Sequence, residues 1–116
     1  DKPGELARVT EALANNAVNI RAIASEGKNE NSFLRVVTSD IATTEKALRY
    51  AGIKYEVADI LAIELMDRPG ELAKIARRLA RAGVNVNSIY ILGSKNGKTE
   101  VAMVVSDIQR AKSAVG

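Results

Sequence analysis

Two long segments of the chain carry apolar residues at the spacing of an amphipathic helix. In residues 71–83 the apolar side chains share one face and the basic side chains lie elsewhere; the apolar set is Leu72, Ile75, Ala76 and Leu79. Residues 5–17 repeat this pattern with Leu6, Val9 and Leu13. Two shorter segments, residues 41–52 and 108–116, each follow a Ser-Asp pair. The pattern therefore predicts four helices.

Residues suited to helix ends flank these segments. Asp40 and Asp107 precede the two shorter helices, where a side chain of this type can accept backbone N–H groups as an N-cap. Gly83 follows one long helix, as a C-terminal cap should. Asn15 and Asn16 are expected to end the other long helix, because Asn tolerates left-handed backbone geometry better than most residues.

Apolar runs between the helices predict strands. The runs are residues 18–25, 33–38, 53–57, 60–66, 84–92 and 101–105. Turns are expected at residues 27–29 and 94–97, and the pair Asn96-Gly97 is a good hairpin signal. Only Ala58 and Asp59 separate the run 53–57 from the next strand, so we expect this short joint to hold the two halves of the chain close together.

The chain is an internal repeat. Residues 1–27 align without a gap to residues 67–93 with 12 identities, beginning with Asp-Lys-Pro-Gly-Glu-Leu-Ala against Asp-Arg-Pro-Gly-Glu-Leu-Ala. We therefore expect two modules, residues 1–58 and 59–116.

Each module reads as strand, helix, strand, strand, helix, strand, which is the ferredoxin-like βαββαβ order. The sequence thus predicts an α+β fold of two such modules packed side by side, with antiparallel sheets and the helices on one face. The outermost strand of the repeat is missing before Asp1 and again after Gly116, so we expect both ends to be incomplete.

Composition narrows the chemistry. The chain has no Cys and no His, which removes the commonest ligands of zinc, iron and copper and the usual general base near neutral pH. A carboxylate-only magnesium site stays open, but no close carboxylate cluster is visible, and we expect neither a metal nor a cofactor. The sequence contains no run of 18 apolar residues and so predicts no membrane span. The lack of Cys is compatible with a cytoplasmic protein.

The repeated motif has the chemistry of a site for a small zwitterion. A helix that begins near Pro69-Gly70 presents unpaired N–H groups and a positive dipole end, which suit a carboxylate. Pro fits an early helical position, and Gly leaves the backbone open to a ligand. Asp67 has the charge that attracts an α-ammonium group, and the amide of Asn85 can both donate and accept hydrogen bonds.

Asp-Arg/Lys-Pro-Gly-Glu-Leu at the start of a helix, followed about 15 residues later by Val-Asn, closely resembles the ACT domain family. These are small regulatory modules that bind amino acids and control metabolic enzymes. The resemblance covers nearly the whole chain and implies ligand sites where two modules meet. It implies homo-oligomers, a regulated metabolic enzyme as partner, and no catalytic activity of the chain's own.

Carried onto this sequence, the resemblance places Asp1, Pro3 and Gly4 in one site with Asn85. Asp67, Pro69 and Gly70 then share a second site with Asn19. The candidate ligand-binding residues are Asp1, Pro3, Gly4, Asn19, Asp67, Arg68, Pro69, Gly70, Asn85 and Asn87. The copies differ at Ala17 against Gly83 and at Arg21 against Asn87, so unequal binding is expected.

Structural readings of the same residues stay open. Asp67 can serve as a helix N-cap, and Asn19 and Asn85 can stabilise only the turn before a strand. Glu5 and Glu71 lie in first turns, where negative charge is favoured in any helix. The basic residues Lys74, Arg77, Arg78 and Arg81 form either a solvated helix face or a surface for an acidic protein.

Three classes of function compete. A regulatory amino-acid-binding module is the leading prediction, and a purely structural dimerisation module is the alternative. Nucleic-acid binding is weaker, because the strands lack the recurring aromatic positions on which such folds stack bases. A stand-alone enzyme is rejected, because the sequence has no phosphate-binding loop, nucleophile motif or His/Cys constellation.

Overall fold

The computed structural model describes residues 4–27 and 32–116, so the turn expected at 27–29 lies largely outside the described residues. The chain divides into two compact units, Asp1–Glu56 and Val57–Gly116. The helices are α1 Glu5–Asn15, α2 Ile41–Tyr50, α3 Glu71–Arg81 and α4 Ile108–Val115. The strands are β1 Ile20–Glu26, β2 Phe33–Thr38, β3 Leu61–Met66, β4 Val86–Lys95 and β5 Lys98–Val105. The fold is α+β with antiparallel sheets, as predicted.

In the second unit, α3 and α4 pack on one antiparallel sheet of strand order β3-β5-β4. Strands β4 and β5 form a hairpin whose two turn residues, Asn96 and Gly97, both have positive φ, as a type I′ turn requires. The core joins sheet and helices; its buried members are Leu61, Ile75, Leu79, Val84, Val101, Met103 and Ala111. This is the βαββα part of the predicted module.

The first unit contains the corresponding αββα part. Strands β1 and β2 form an antiparallel pair, and α1 and α2 enclose a core whose buried residues are Val9, Leu13, Val18 and Ala47. Leu13 and its counterpart Leu79 are the most completely covered helical leucines, at 0% and 1% exposure. The periodicity of the two long helices thus located the centre of each core.

The buried face of each long helix is narrower than predicted. Leu72, assigned to the core face from its spacing, is 43% exposed, and its counterpart Leu6 is 53% exposed. Ala76 is exposed as well. Only Ile75 and Leu79 of α3 are buried, because only these two side chains point between the sheet and α4.

Residues 53–57 form no strand, which corrects the prediction from their alternating pattern. The alternation holds over residues 53–56, since Ile53 and Tyr55 are half-buried and Lys54 and Glu56 are exposed, but it ends at Val57, which is 52% exposed. However, Ile53 packs against the helical core, and the Tyr55 hydroxyl bonds to Glu45 at 3.2 Å and to Arg49 at 2.8 Å. Contacts with α2, rather than pairing with a strand, therefore produce the period of two.

The end of α1 also differs from expectation. The left-handed residue is Ala17, with φ 56°, whereas Asn16 has φ −109°. Asn16 instead donates its side-chain amide to the Ala12 carbonyl at 2.9 Å. In α3 the same left-handed position is Gly83, with φ 73°. The Asn16 side chain thus hydrogen-bonds to a carbonyl in the last turn of α1, and Ala17 adopts the left-handed conformation that ends the helix.

Candidate ligand-binding site

The four helices begin in two different ways. Helices α2 and α4 are capped by Asp40 and Asp107, whose carboxylates accept the backbone N–H groups of Thr43 at 3.1 Å and Arg110 at 3.0 Å. Helices α1 and α3, which follow the repeated motif, begin instead at Gly4 and Gly70, and no side chain of residues 4–27 or 32–116 caps either one. The motif helices therefore lack the cap that the other two helices have.

Gly70 is required by its backbone conformation. Its φ is 88°, a region that residues with a Cβ rarely adopt, and Gly4 has φ 93°. A Cβ added at Gly70 would meet no atom within 4 Å, so the space beside it is open. Pro69 precedes this cap and therefore lies outside the helix, rather than in its first turn as the sequence had suggested.

Asp67 does not cap α3, which removes the structural reading of this residue. The cap is Gly70, and the Asp67 carboxylate has neither a hydrogen bond nor an ion pair with any residue the structure describes. Its backbone N–H donates to the Gly97 carbonyl at 2.8 Å, which ties the loop to the β4–β5 turn. An exposed carboxylate thus lies three residues before an uncapped helix start.

Arg68 is engaged by a side chain of its own unit. Its Nε lies 3.0 Å from Oε2 of Glu71, and Nζ of Lys74 lies 3.5 Å from the same oxygen. The hydrogen bond from Arg68 holds the pKa of Glu71 below its ordinary value, while partial burial opposes this effect. Arg68 is therefore a residue that holds Glu71, and Glu71 is an ion-pair partner rather than a capping group.

Asn85 is held by its backbone, and its side chain is exposed. Its carbonyl accepts the Ser106 N–H at 2.9 Å, and its N–H donates to the Ser106 hydroxyl at 3.0 Å. In the first unit, the Asn19 carbonyl accepts the Ser39 N–H at 3.3 Å. Neither Asn amide group bonds to another described residue. Sequence reasoning missed the role of these Ser residues, although the repeated Ser-Asp pair was a usable signal.

A β-bulge follows each of these Asn residues. The register passes from Val86 to Ser88 and skips Asn87, and in the first unit it skips Arg21 in the same way. A bulge leaves one residue out of the ladder and re-aims its side chain. Asn87, a predicted site residue, thus occupies an irregular position that both units share.

Within the second unit, Asp67 and Asn85, which the repeat assigns to two different sites, lie at opposite ends of the sheet. Asp67 is tied to Gly97 before the start of β5, and Asn85 is tied to Ser106 after its end. Strand β5 has eight residues, which span about 25 Å at the usual rise per residue. Asp67 and Asn85 of one unit therefore cannot contact the same small ligand.

Asp1 and Pro3 lie outside the described residues, so Gly4 is the one candidate ligand-binding residue of the first motif that the structure describes. Two open grooves, of about 370 Å³ and 310 Å³, lie one on each unit, and no candidate residue lines them. In the part of the chain that the structure describes, no group of His, Cys, Asp and Glu is arranged to hold a metal ion.

Residues 60–115, almost all of the second unit, match the model of the ACT domain family. The second unit of this chain belongs to the ACT domain family. No curated protein matched the chain. Across residues 4–27 and 32–116, no helix has the length and apolar character needed to cross a bilayer.

Solved structures resemble both the ACT domain and the unit that precedes it. Protein BT0572 from Bacteroides thetaiotaomicron superposes with a TM-score of 0.90 at 27% identity, over 99% of this chain and 79% of that one. The ligand-free regulatory subunit of aspartate kinase from Thermus thermophilus gives 0.65 at 23% identity, over 99% and 83%. The corresponding subunit from Thermus flavus gives 0.58 at 23% identity, over 99% and 81%.

Proposed function

We propose that this chain is a regulatory module that binds an amino acid at the start of each motif helix. The observation that carries the proposal is the contrast between the two kinds of helix start. Asp40 and Asp107 cap α2 and α4, whereas the first turn of α3 has no side-chain cap and lies beside the exposed Asp67. The uncapped amides and the adjacent carboxylate together provide a positive and a negative group.

These two groups complement the two charges of an amino acid. The Glu71 N–H already donates to the Arg68 carbonyl at 3.4 Å, so the N–H groups that follow it in the first turn donate to the ligand carboxylate, which the positive end of the helix dipole also attracts. Asp67 pairs with the α-ammonium group. Arg68 and Lys74 hold the Glu71 carboxylate and offset its charge, which would otherwise repel the carboxylate of the ligand.

The proposal includes the pairing predicted from the repeat, in which an Asn of one copy completes the site of the other. The distance of about 25 Å between Asp67 and Asn85 along β5 supports this pairing, since the completing amide has to come from another copy of the module. Asn19 then serves the site of Asp67, and Asn85 serves the site of Gly4. The first unit is on this view a second ACT domain.

Ligand binding is proposed to regulate a partner rather than to support catalysis in this chain. A ligand shifts an equilibrium only by its differential affinity for two states, and a site built from two copies has that property. The fold shared with regulatory subunits of aspartate kinase suggests a metabolic enzyme of amino-acid synthesis as partner. We further propose a homo-oligomeric, cytoplasmic protein.

A thermal-unfolding screen with the twenty common amino acids tests the proposal. A ligand at about 100 times its Kd should stabilise the protein by about 2.7 kcal/mol. The variant Asp67→Asn should bind that ligand at least about tenfold more weakly, because it loses the charge that pairs with the ammonium group. Asp59→Asn is the matched control, since it removes an exposed carboxylate outside the motif and should bind normally.

An N-acetylated form of the same amino acid sharpens the assignment. It keeps the carboxylate and lacks the ammonium charge, so it should bind weakly to the wild-type protein and equally weakly to Asp67→Asn. If the acetylated ligand still distinguishes the two proteins, Asp67 does not recognise the ammonium group. A screen in which none of the twenty amino acids raises the unfolding temperature would overturn the proposed function itself.

A further inference from the structure

Helix α3 carries four cationic side chains within two turns. Lys74, Arg77, Arg78 and Arg81 are all exposed. At 3.6 residues per turn they occupy a sector of about 100°, whose centre lies about 130° around the helix from that of the buried Ile75 and Leu79. Lys74 pairs with Glu71, as described above. The other three, which we call the arginine face, have no ion pair or hydrogen bond with any described residue. These three charges are unused inside the unit.

The first copy of the module shows that the fold does not need the arginine face. The positions equivalent to Arg77, Arg78 and Arg81 are Glu11, Ala12 and Asn15. The one cation of α1 is Arg8, which donates to the Ala51 carbonyl at 3.2 Å and to the Gly52 carbonyl at 3.3 Å. The cation of α1 therefore works within its own unit, whereas the arginines of α3 do not.

The arginine face also opposes helix stability. Lys74 and the arginines make four like-charge pairs at spacings of three or four residues, and such pairs destabilise a helix. Arg78 and Arg81 lie in the last turn, where the helix dipole favours cations, but Arg77 lies before it. Local stability therefore does not account for the whole set.

We propose that the arginine face binds a row of carboxylates on an acidic helix of a partner protein. The guanidinium group matches a carboxylate with two parallel hydrogen bonds, and the three arginines extend over about 6 Å of α3, or about one turn of a facing helix. A nucleic-acid surface is less suited to it. Affinity for a nucleic-acid backbone rises with the number of phosphates neutralised, and three arginines supply few such contacts. Helix α3 also has no aromatic residue for stacking on bases.

A peptide titration tests this proposal independently of any amino-acid effector. The probe is a fluorescein-labelled helical peptide of about 18 residues with Glu at every fourth position, long enough to form a helix in water. The test variant gives α3 the residues that α1 has at the three equivalent positions, through the substitutions Arg77→Glu, Arg78→Ala and Arg81→Asn. Wild-type protein should bind the peptide at least about tenfold more tightly than this variant, with an affinity that falls as salt rises.

A charge-matched variant separates the arginine face from net charge. The control variant changes three exposed lysines outside α3: Lys46→Glu, Lys54→Ala and Lys95→Asn. In both triple variants the substitutions to Glu, Ala and Asn change the charge by −2, −1 and −1, so the formal net charge falls from +3 to −1. This control should keep wild-type affinity within about threefold. If the test variant fails to fold by circular dichroism, the triple Arg→Gln variant replaces it, since it keeps good helix formers.

Three results would overturn the proposal. Wild-type protein that does not bind the Glu peptide more tightly than a Gln version of it has no carboxylate-binding face. Equal losses in the two triple variants would assign the binding to net charge alone. Tighter binding of a short DNA duplex than of the peptide would assign the arginine face to nucleic acid.

Discussion

The turns after α1 and α3 have the same geometry and different residues, which makes their exchange a quantitative test of the fold. In α1 the Val18 N–H bonds to the Leu13 carbonyl at 2.9 Å, and in α3 the Val84 N–H bonds to the Leu79 carbonyl at 2.9 Å. The left-handed residue between them is Ala17 in one case and Gly83 in the other. Each turn leads directly to a candidate Asn.

The size of the expected change in stability follows from the backbone conformation at Ala17 and Gly83. A non-Gly residue in the left-handed region loses about 1–2 kcal/mol relative to its favoured conformation. Glycine adopts this conformation without that loss. It also makes the unfolded chain more flexible, which lowers the free energy of unfolding by about 0.4–1 kcal/mol. Ala17→Gly should therefore stabilise the protein by about 0.5–1 kcal/mol. Gly83→Ala should destabilise it by a similar amount, since its new Cβ would meet only Arg110 Nη1 at an ordinary 3.7 Å.

Urea unfolding followed by circular dichroism measures these differences. The double exchange should return close to the wild-type free energy of unfolding, because the two residues lie in different compact units and independent substitutions are additive within about 0.5 kcal/mol. Thermal unfolding should shift by a few degrees in the same directions. If Ala17→Gly lowers stability, the strain at Ala17 is not relieved by glycine and the reasoning is wrong.

Two further predictions concern the capped helices. Asp107→Ala should destabilise the protein by about 1 kcal/mol, because the Arg110 N–H loses its acceptor, whereas Asp107→Asn should lose much less; chemical denaturation of both variants checks this. Hydrogen bonds from Thr43 hold the pKa of Asp40 below its ordinary 3.8, so its contribution to stability is present above that pH and is lost as the pH falls through the lowered pKa. Asp40→Asn should therefore flatten the acid limb of the curve of stability against pH, and an unchanged limb would assign the acid sensitivity to other groups.

The fold was predictable to the extent that local patterns reported on burial. Period 3.6 in residues 71–83 and the pair Asn96-Gly97 correctly identified α3 and the β4–β5 turn, because each depends on nearby residues alone. The strand predicted at residues 53–57 failed, since a period of two reports alternate burial and cannot show whether a partner strand is present. The prediction that Leu72 lies on the core face was wrong for a related reason. The spacing of apolar residues defines the apolar face of a helix, but not how much of that face the rest of the unit covers.

The ligand-binding role of the candidate residues stays a prediction, whereas their local backbone geometry was predictable in part. The motif identified the uncapped helix start, since Gly70 occupies a conformation that few other residues adopt. The capping role considered for Asp67 could be rejected only from coordinates, because it depends on where the helix begins. The pairing of Arg68 with Glu71 is a side-chain choice between neighbours that sequence does not resolve.

Strands β1 and β4 each contain a bulge at the equivalent position, Arg21 and Asn87. There the identity of the side chain and the register of the strand pair can vary independently, whereas the two are usually coupled in a strand. At ordinary strand positions a substitution changes both cross-strand neighbours and the fit to the sheet. At Arg21 and Asn87 the ladder passes the residue by, and the two copies tolerate a long cation and a short amide there. Two copies with the same bulge thus carry side chains of different charge and length at this position, so a substitution here can change the surface chemistry of either unit and leave the register of its strand pair unchanged.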